Sequence, residues 1–263
     1  MKRIDFSIFL QNFIYLINEP NIRNNIINKN IKTNSTITSK SNTKWGGTLF
    51  VIGDTNNLYL TKYDSKIYNN LPLSTFFQRN KKKFFTNSKN EKILFTVCYS
   101  YENYKVHFVS FIYENNTLIH FDPGVSLYNH GQKTIVPSIA NIYKKIYKVN
   151  KNFELGKCNY FKYKKRKTGI QFNDNNTIFP ADAFCQSWTL FFLIRATIAD
   201  EYSFIENWCK IKPSEREAFL ISNFILPFLY NNPKYHNQIV QNSNLQHKNY
   251  LDELFSYIEE MYI

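Results

Sequence analysis

Lys105-Val106-His107-Phe108-Val109-Ser110-Phe111-Ile112-Tyr113, then Glu114-Asn115-Asn116, then Thr117-Leu118-Ile119-His120-Phe121-Asp122, is the stretch on which the fold turns. Two β-branched and aromatic runs flank a pair of residues that tolerate positive φ, the pattern of a hairpin closed by a two-residue loop. With Asn115-Asn116 as that loop, Val109 faces Asp122 and His107 faces Gly124 across the strands. His107 and Asp122 are then diagonal neighbours on one face, roughly 7 Å apart in the backbone and within reach of an imidazole–carboxylate hydrogen bond. A three-residue loop would separate them onto opposite faces. His120 shares the face of Asp122 and is the rival base; either histidine, taken alone, is as well explained as an ordinary polar strand residue.

Outward from the hairpin, residues 92–100 form another β-branched and aromatic run, so a three-stranded antiparallel sheet is expected. Residues 48–62 read as two strands joined through Gly53-Asp54-Thr55-Asn56-Asn57. After Pro137, Ile139, Ile142, Ile146 and Val149 follow a helical period, and residues 155–172 return to strand with a basic interruption. Residues 184–199 are apolar on nearly every side, which predicts a helix buried in the fold. Ser214 and Glu217, after Pro213, fit a capping box, and residues 249–262 carry an apolar helical stripe. At the other end, residues 4–17 suggest a short amphipathic helix, and about 28–44 is an aperiodic polar stretch. The expected organisation is an N-terminal helical segment and linker over 1–44 and one α+β domain over 45–263.

Composition bounds the function. At 263 residues and 43% hydrophobic content the chain can bury one sizeable core. The net charge of +13 would suggest an anionic partner, but abundant Lys, Asn, Ile, Tyr and Phe are equally what an AT-rich genome encodes. Cys98, Cys158, Cys185 and Cys209 have neither Cys-x-x-Cys nor Cys/His metal spacing, so neither a structural zinc nor a disulfide framework is expected. No run reaches the length of a membrane span. A soluble protein in a reducing compartment, where a free thiolate persists, is the reading.

Cys185, in Ala181-Asp182-Ala183-Phe184-Cys185-Gln186-Ser187-Trp188, stands at the entry of the apolar helix. Backbone N–H groups and the helix dipole stabilise a thiolate there, and an adjacent imidazolium does so further. The plain alternative is a small buried hydrophobe. Asp182 is placed to cap the helix, and Gln186, Ser187 and Trp188 form an unusual polar and aromatic collar for simple core. Gln171 ends a strand before this loop and has an amide suited to an oxyanion, with Gln186 and the backbone N–H of Cys185 as the competing donors. A solvent-facing strand glutamine is the plain reading of Gln171.

The order His107, Asp122, Gln171, Cys185, with His107-Phe108 on one strand, Ile119-His120-Phe121-Asp122 on the next and Phe184-Cys185-Gln186-Ser187-Trp188 opening a helix, resembles the ubiquitin-like-protein-specific protease family. That family includes the SUMO proteases, the adenovirus protease and protease-like proteins of large DNA viruses. The resemblance covers about residues 92–200. It implies a papain-like α+β fold with a central antiparallel sheet, no cofactor, and hydrolysis of peptide or isopeptide bonds. Cys185 would be nucleophile, His107 base, Asp122 the orienting carboxylate and Gln171 the oxyanion donor. The substrate would be a viral precursor polyprotein or a ubiquitin-like conjugate, and a viral source would put the protein in host cytoplasm, nucleus or virion.

Three departures are visible. Family members place the Gln nearer the Cys, so an insertion through Asn173-Asp174-Asn175-Asn176 is needed here. Gln186 stands where Gly usually follows the Cys, and Asp122-Pro123-Gly124 replaces the frequent Asp-Ser. These departures leave open a non-catalytic interaction or virion protein on the same fold. The run Lys162, Lys164, Lys165, Arg166, Lys167, interleaved with Tyr160, Phe161 and Tyr163, suggests weak nucleic-acid contact or equally a solvated hairpin tip.

Overall fold

The computed structural model describes residues 42–54, 56–64, 66–87, 91–101, 105–124, 132–155, 157–163, 166–170, 185–198, 205 and 209–220. The chain divides into two compact units, one of which comprises Thr36–Phe172 and Phe184–Pro213. Within that unit the elements are β1 (Asn42–Gly53), β2 (Leu58–Tyr63), β3 (Lys66–Pro72), α1 (Leu73–Arg79), α2 (Lys81–Phe84), β4 (Glu91–Tyr101), β5 (Lys105–Glu114), β6 (Thr117–Phe121), α3 (Gln132–Tyr147), β7 (Lys151–Leu155), β8 (Lys157–Tyr163), β9 (Arg166–Gly169) and α4 (Cys185–Ile198). A last helix, α5 (Pro213–Leu220), lies almost wholly in the other unit. The expected helices over 4–17 and 249–262 and the polar stretch up to residue 41 lie outside the described residues.

The architecture is α+β, around a seven-stranded sheet ordered β3-β2-β1-β4-β5-β6-β7. The central β4-β5-β6 is antiparallel as expected, but the sheet as a whole is mixed, because β1 runs parallel to β4 and β7 parallel to β6. Both parallel pairings join strands separated by other elements, which local sequence patterns do not encode. The β5–β6 register follows from its loop. Asn115 and Asn116 have φ of 47° and 57°, the double left-handed geometry of a type I′ turn, and Glu114 pairs with Thr117 and Ser110 with Phe121. In the β1–β2 loop the Asp54 carboxylate accepts the N–H groups of Asn56 and Asn57 at 2.8 and 2.9 Å, an Asx-type turn.

Alternation assigns the two faces of the sheet. Phe95 on β4 and Phe111 on β5 point to one side, stack on each other at 4.9 Å, and meet Phe77 of α1 and Tyr143 of α3. Two buried phenols find backbone partners there: Tyr147 donates to Phe77 O at 2.8 Å and Tyr143 donates to Phe84 O. Opposite, Phe121 of β6 stacks on Phe192 of α4, with ring centroids 4.5 Å apart. In helix α4 the described side chains, Cys185, Ser187 to Leu193 and Ala196, are all buried, as the apolar sequence requires. Among the described residues no helix is long and apolar enough to cross a membrane.

Two helical starts differ from the sequence expectation, and α1 is a helix that the sequence reading did not include. Helix α3 begins at Gln132 and carries Pro137 inside, at the cost of one hydrogen bond, while Ile135, Val136, Ile139 and Tyr143 bury one stripe. Helix α5 begins at Pro213, so Ser214 falls in the first turn rather than at the cap. Helix α1 has no side-chain cap and no acidic residue in its first turn, and so carries no start signal.

Candidate active site

Strand β5 delivers His107 and the end of β6 delivers Asp122. The Asp122 N–H donates to Leu155 O of β7 at 3.3 Å, which ties the backbone of the carboxylate to the neighbouring strand. The I′ turn sets the diagonal anticipated above, and the side chains close it: His107 Nε2 lies 2.7 Å from Asp122 Oδ1. The same oxygen accepts the Gly124 N–H at 2.9 Å. With Nε2 committed to the carboxylate, Nδ1 is the ring nitrogen left for a second partner. Cys185, the first residue of α4, also hydrogen-bonds the imidazole through its side chain.

All three side chains are secluded from solvent: His107 and Asp122 are each 6% exposed and Cys185 is 2% exposed. Burial is the largest influence on His107 and disfavours its charge. The Asp122 charge and hydrogen bond, joined by the hydrogen bond and charge of Cys185, outweigh burial and push its pKa up to about 10. An imidazolium held between a carboxylate and a sulfur is therefore the favoured state at neutral pH. A thiolate at the first turn of a helix, beside a cation, is competent to attack a carbonyl carbon.

The placement of α4 rests on directional contacts. Thr189, four residues after Cys185 and so on the same side of the helix, donates its hydroxyl to Phe108 O at 3.1 Å, beside His107. At the other end, Lys92 of β4 reaches Ala196 O at 3.3 Å and Glu114 Oε2 at 3.4 Å. Burial lowers the Lys92 pKa, and the Glu114 carboxylate opposes that shift. A cation at a helix C-terminus also complements the dipole that favours anions at the opposite end. Neither Thr189 nor Lys92 was singled out in the sequence; the helical spacing from Cys185 was the available signal for Thr189.

The rival base His120 is turned to a different neighbour, with Nδ1 3.2 Å from Asn152 Oδ1 of β7, and it packs near the ring of Phe111. Gln171 and Asp182 lie outside the described residues, and Gln186 is described only as the second residue of α4. The basic run occupies the antiparallel pair β8–β9, with Lys164 and Lys165 outside the described residues. The backbone of this hairpin does not favour nucleic acid over a solvated tip. Cys98 and Cys185 are free thiols, whereas Cys209 is disulfide-bonded, a pairing that the cysteine spacing did not signal.

No protein-family model matches the sequence, and no curated protein matches it. Solved structures of the Legionella pneumophila effector protein RavZ are similar at 11% identity, one covering 98% of this chain and 81% of that chain with a TM-score of 0.36. A second, RavZ in complex with human LC3B, is 11% identical, covers 91% of this chain and 71% of that chain, and has a TM-score of 0.34. Likeness at this level transfers neither fold nor activity.

Proposed function

We propose that the chain is a cysteine peptidase in which Cys185 is the nucleophile, His107 the general acid and base, and Asp122 the carboxylate that orients it. The observation that carries this reading is the continuous contact from Asp122 through His107 to Cys185 at the first turn of a buried helix. The Cys185 sulfur attacks the carbonyl carbon. As the C–N bond breaks, the His107 imidazolium gives its proton to the leaving amine, and a thioester remains. His107 then takes a proton from water, whose oxygen attacks the thioester and releases the acid and the thiolate. Gln171, with Gln186 or the backbone N–H of Cys185 as the alternative, is assigned to the oxyanion.

Resemblance of the His107, Asp122 and Cys185 motifs to the ubiquitin-like-protein-specific proteases supports a ubiquitin-like conjugate as substrate, cleaved at its peptide or isopeptide bond. A panel of ubiquitin-like modifier probes and Gly-x-Gly peptides tests this, with viral precursor peptides as the competing arm. Cys185→Ala is expected to abolish cleavage and probe labelling together; a variant that still cleaves would overturn the mechanism. The 2% exposure of Cys185 favours a second reading, a binding protein on the same scaffold. That reading predicts no turnover on any arm of the panel by the wild-type chain.

A further inference from the structure

We propose that Gly124 is a positioning residue for His107, kept free of a side chain because its backbone forms one wall of the slot that holds the imidazole against Asp122.

The slot has two sides. Strand β5 lies between β4 and β6, and Tyr99 of β4 is the direct cross-strand partner of His107, its ring meeting the imidazole edge-on at 5.4 Å and 72°. On the β6 side, β6 ends at Phe121 and the turn at Pro123-Gly124 brings the Gly124 backbone against the imidazole. A Cβ on Gly124 would sit 2.5 Å from His107 Cε1, 3.1 Å from Nε2 and 3.4 Å from Nδ1. The first of these is roughly 1 Å inside carbon–carbon contact distance. Tyr99 closes the opposite side, so a displaced ring must rotate or the Gly124 backbone must withdraw. Rotation lengthens the 2.7 Å contact to Asp122. Withdrawal breaks the 2.9 Å hydrogen bond from the Gly124 N–H to the same carboxylate oxygen. Gly124 is not among the glycines with positive φ, which are Gly47 and Gly53 among the described residues, so space rather than backbone conformation demands glycine here.

The proposal rests on the site reading only in taking His107 as the group whose position matters, and its test needs no turnover. Thermal unfolding is measured for the wild type, Gly124→Ala, His107→Ala and the double variant, and the His107 Cε1 proton is titrated by NMR in the wild type and Gly124→Ala. Gly124→Ala is expected to lower Tm in the wild-type background and to cost little once His107→Ala has removed the ring. The His107 midpoint is expected to fall by at least about one pH unit towards the ordinary histidine range. If Gly124→Ala alone does not fold, recovery of folded protein in the double variant supports the clash. An equal Tm loss in both backgrounds, or an unmoved His107 titration, overturns the proposal. A wild type that cleaves nothing would defeat the peptidase reading and leave this result intact.

Discussion

The two faces of the central sheet are held by different physics. On one, Phe77, Phe95, Phe111, Tyr143 and their neighbours interlock with α1 and α3 through ring contacts whose main contribution is burial. On the other, α4 is fixed by hydrogen bonds at both ends, from Thr189 to Phe108 O and from Lys92 to Ala196 O. Burial is tolerant of small displacements, whereas a nucleophile must meet its base within a fraction of an ångström. The aromatic face therefore supplies stability, and the hydrogen bonds of α4 set the position of Cys185 against His107, which alternation along β5 places on the side of Phe111.

Substitutions can break this division of labour in order of size. Asp122→Asn should leave the fold in place yet reduce turnover by about three to four orders of magnitude, since the imidazole loses its orienting charge. Steady-state kinetics on whichever probe the wild type cleaves, with circular dichroism as the folding control, checks this. Phe77→Ala should cost about 3–5 kcal/mol of stability in denaturant unfolding while leaving the reactivity of Cys185 in the folded fraction unchanged. A change in that reactivity would show that the faces are not separable. Thr189→Val removes one hydroxyl at nearly constant shape and should cost only about 1 kcal/mol of stability. Its turnover should fall several-fold more than that stability loss accounts for, because the helix is then free to shift against β5.

How much of this was legible beforehand follows from how local each determinant is. Asn115-Asn116 announces its own turn type, and the turn fixes the register; the meeting of His107 and Asp122 could therefore be read from residues 107–122 alone. The apolar run after Cys185 announced a buried helix in the same way. The mixed sheet was not legible, because β7 is mostly exposed and polar, and both parallel pairings depend on elements lying between the paired strands in the chain. Gly124 was visible as a departure from Asp-Ser and as the cross-strand neighbour of His107. Its role emerged only when the imidazole was seen to fill the space a side chain would occupy.

The pairing of Cys185 with His107 is measured most directly by the rate of Cys185 alkylation by iodoacetamide against pH. Mass spectrometry at each residue allows the other free and buried thiol, Cys98, to serve as the internal control. Because His107 keeps its proton until about pH 10, the paired thiolate should react at a nearly constant rate through neutrality, with a second step only as His107 deprotonates. A single rise centred at the ordinary thiol value of roughly 8.5, with no step near 10, would contradict it.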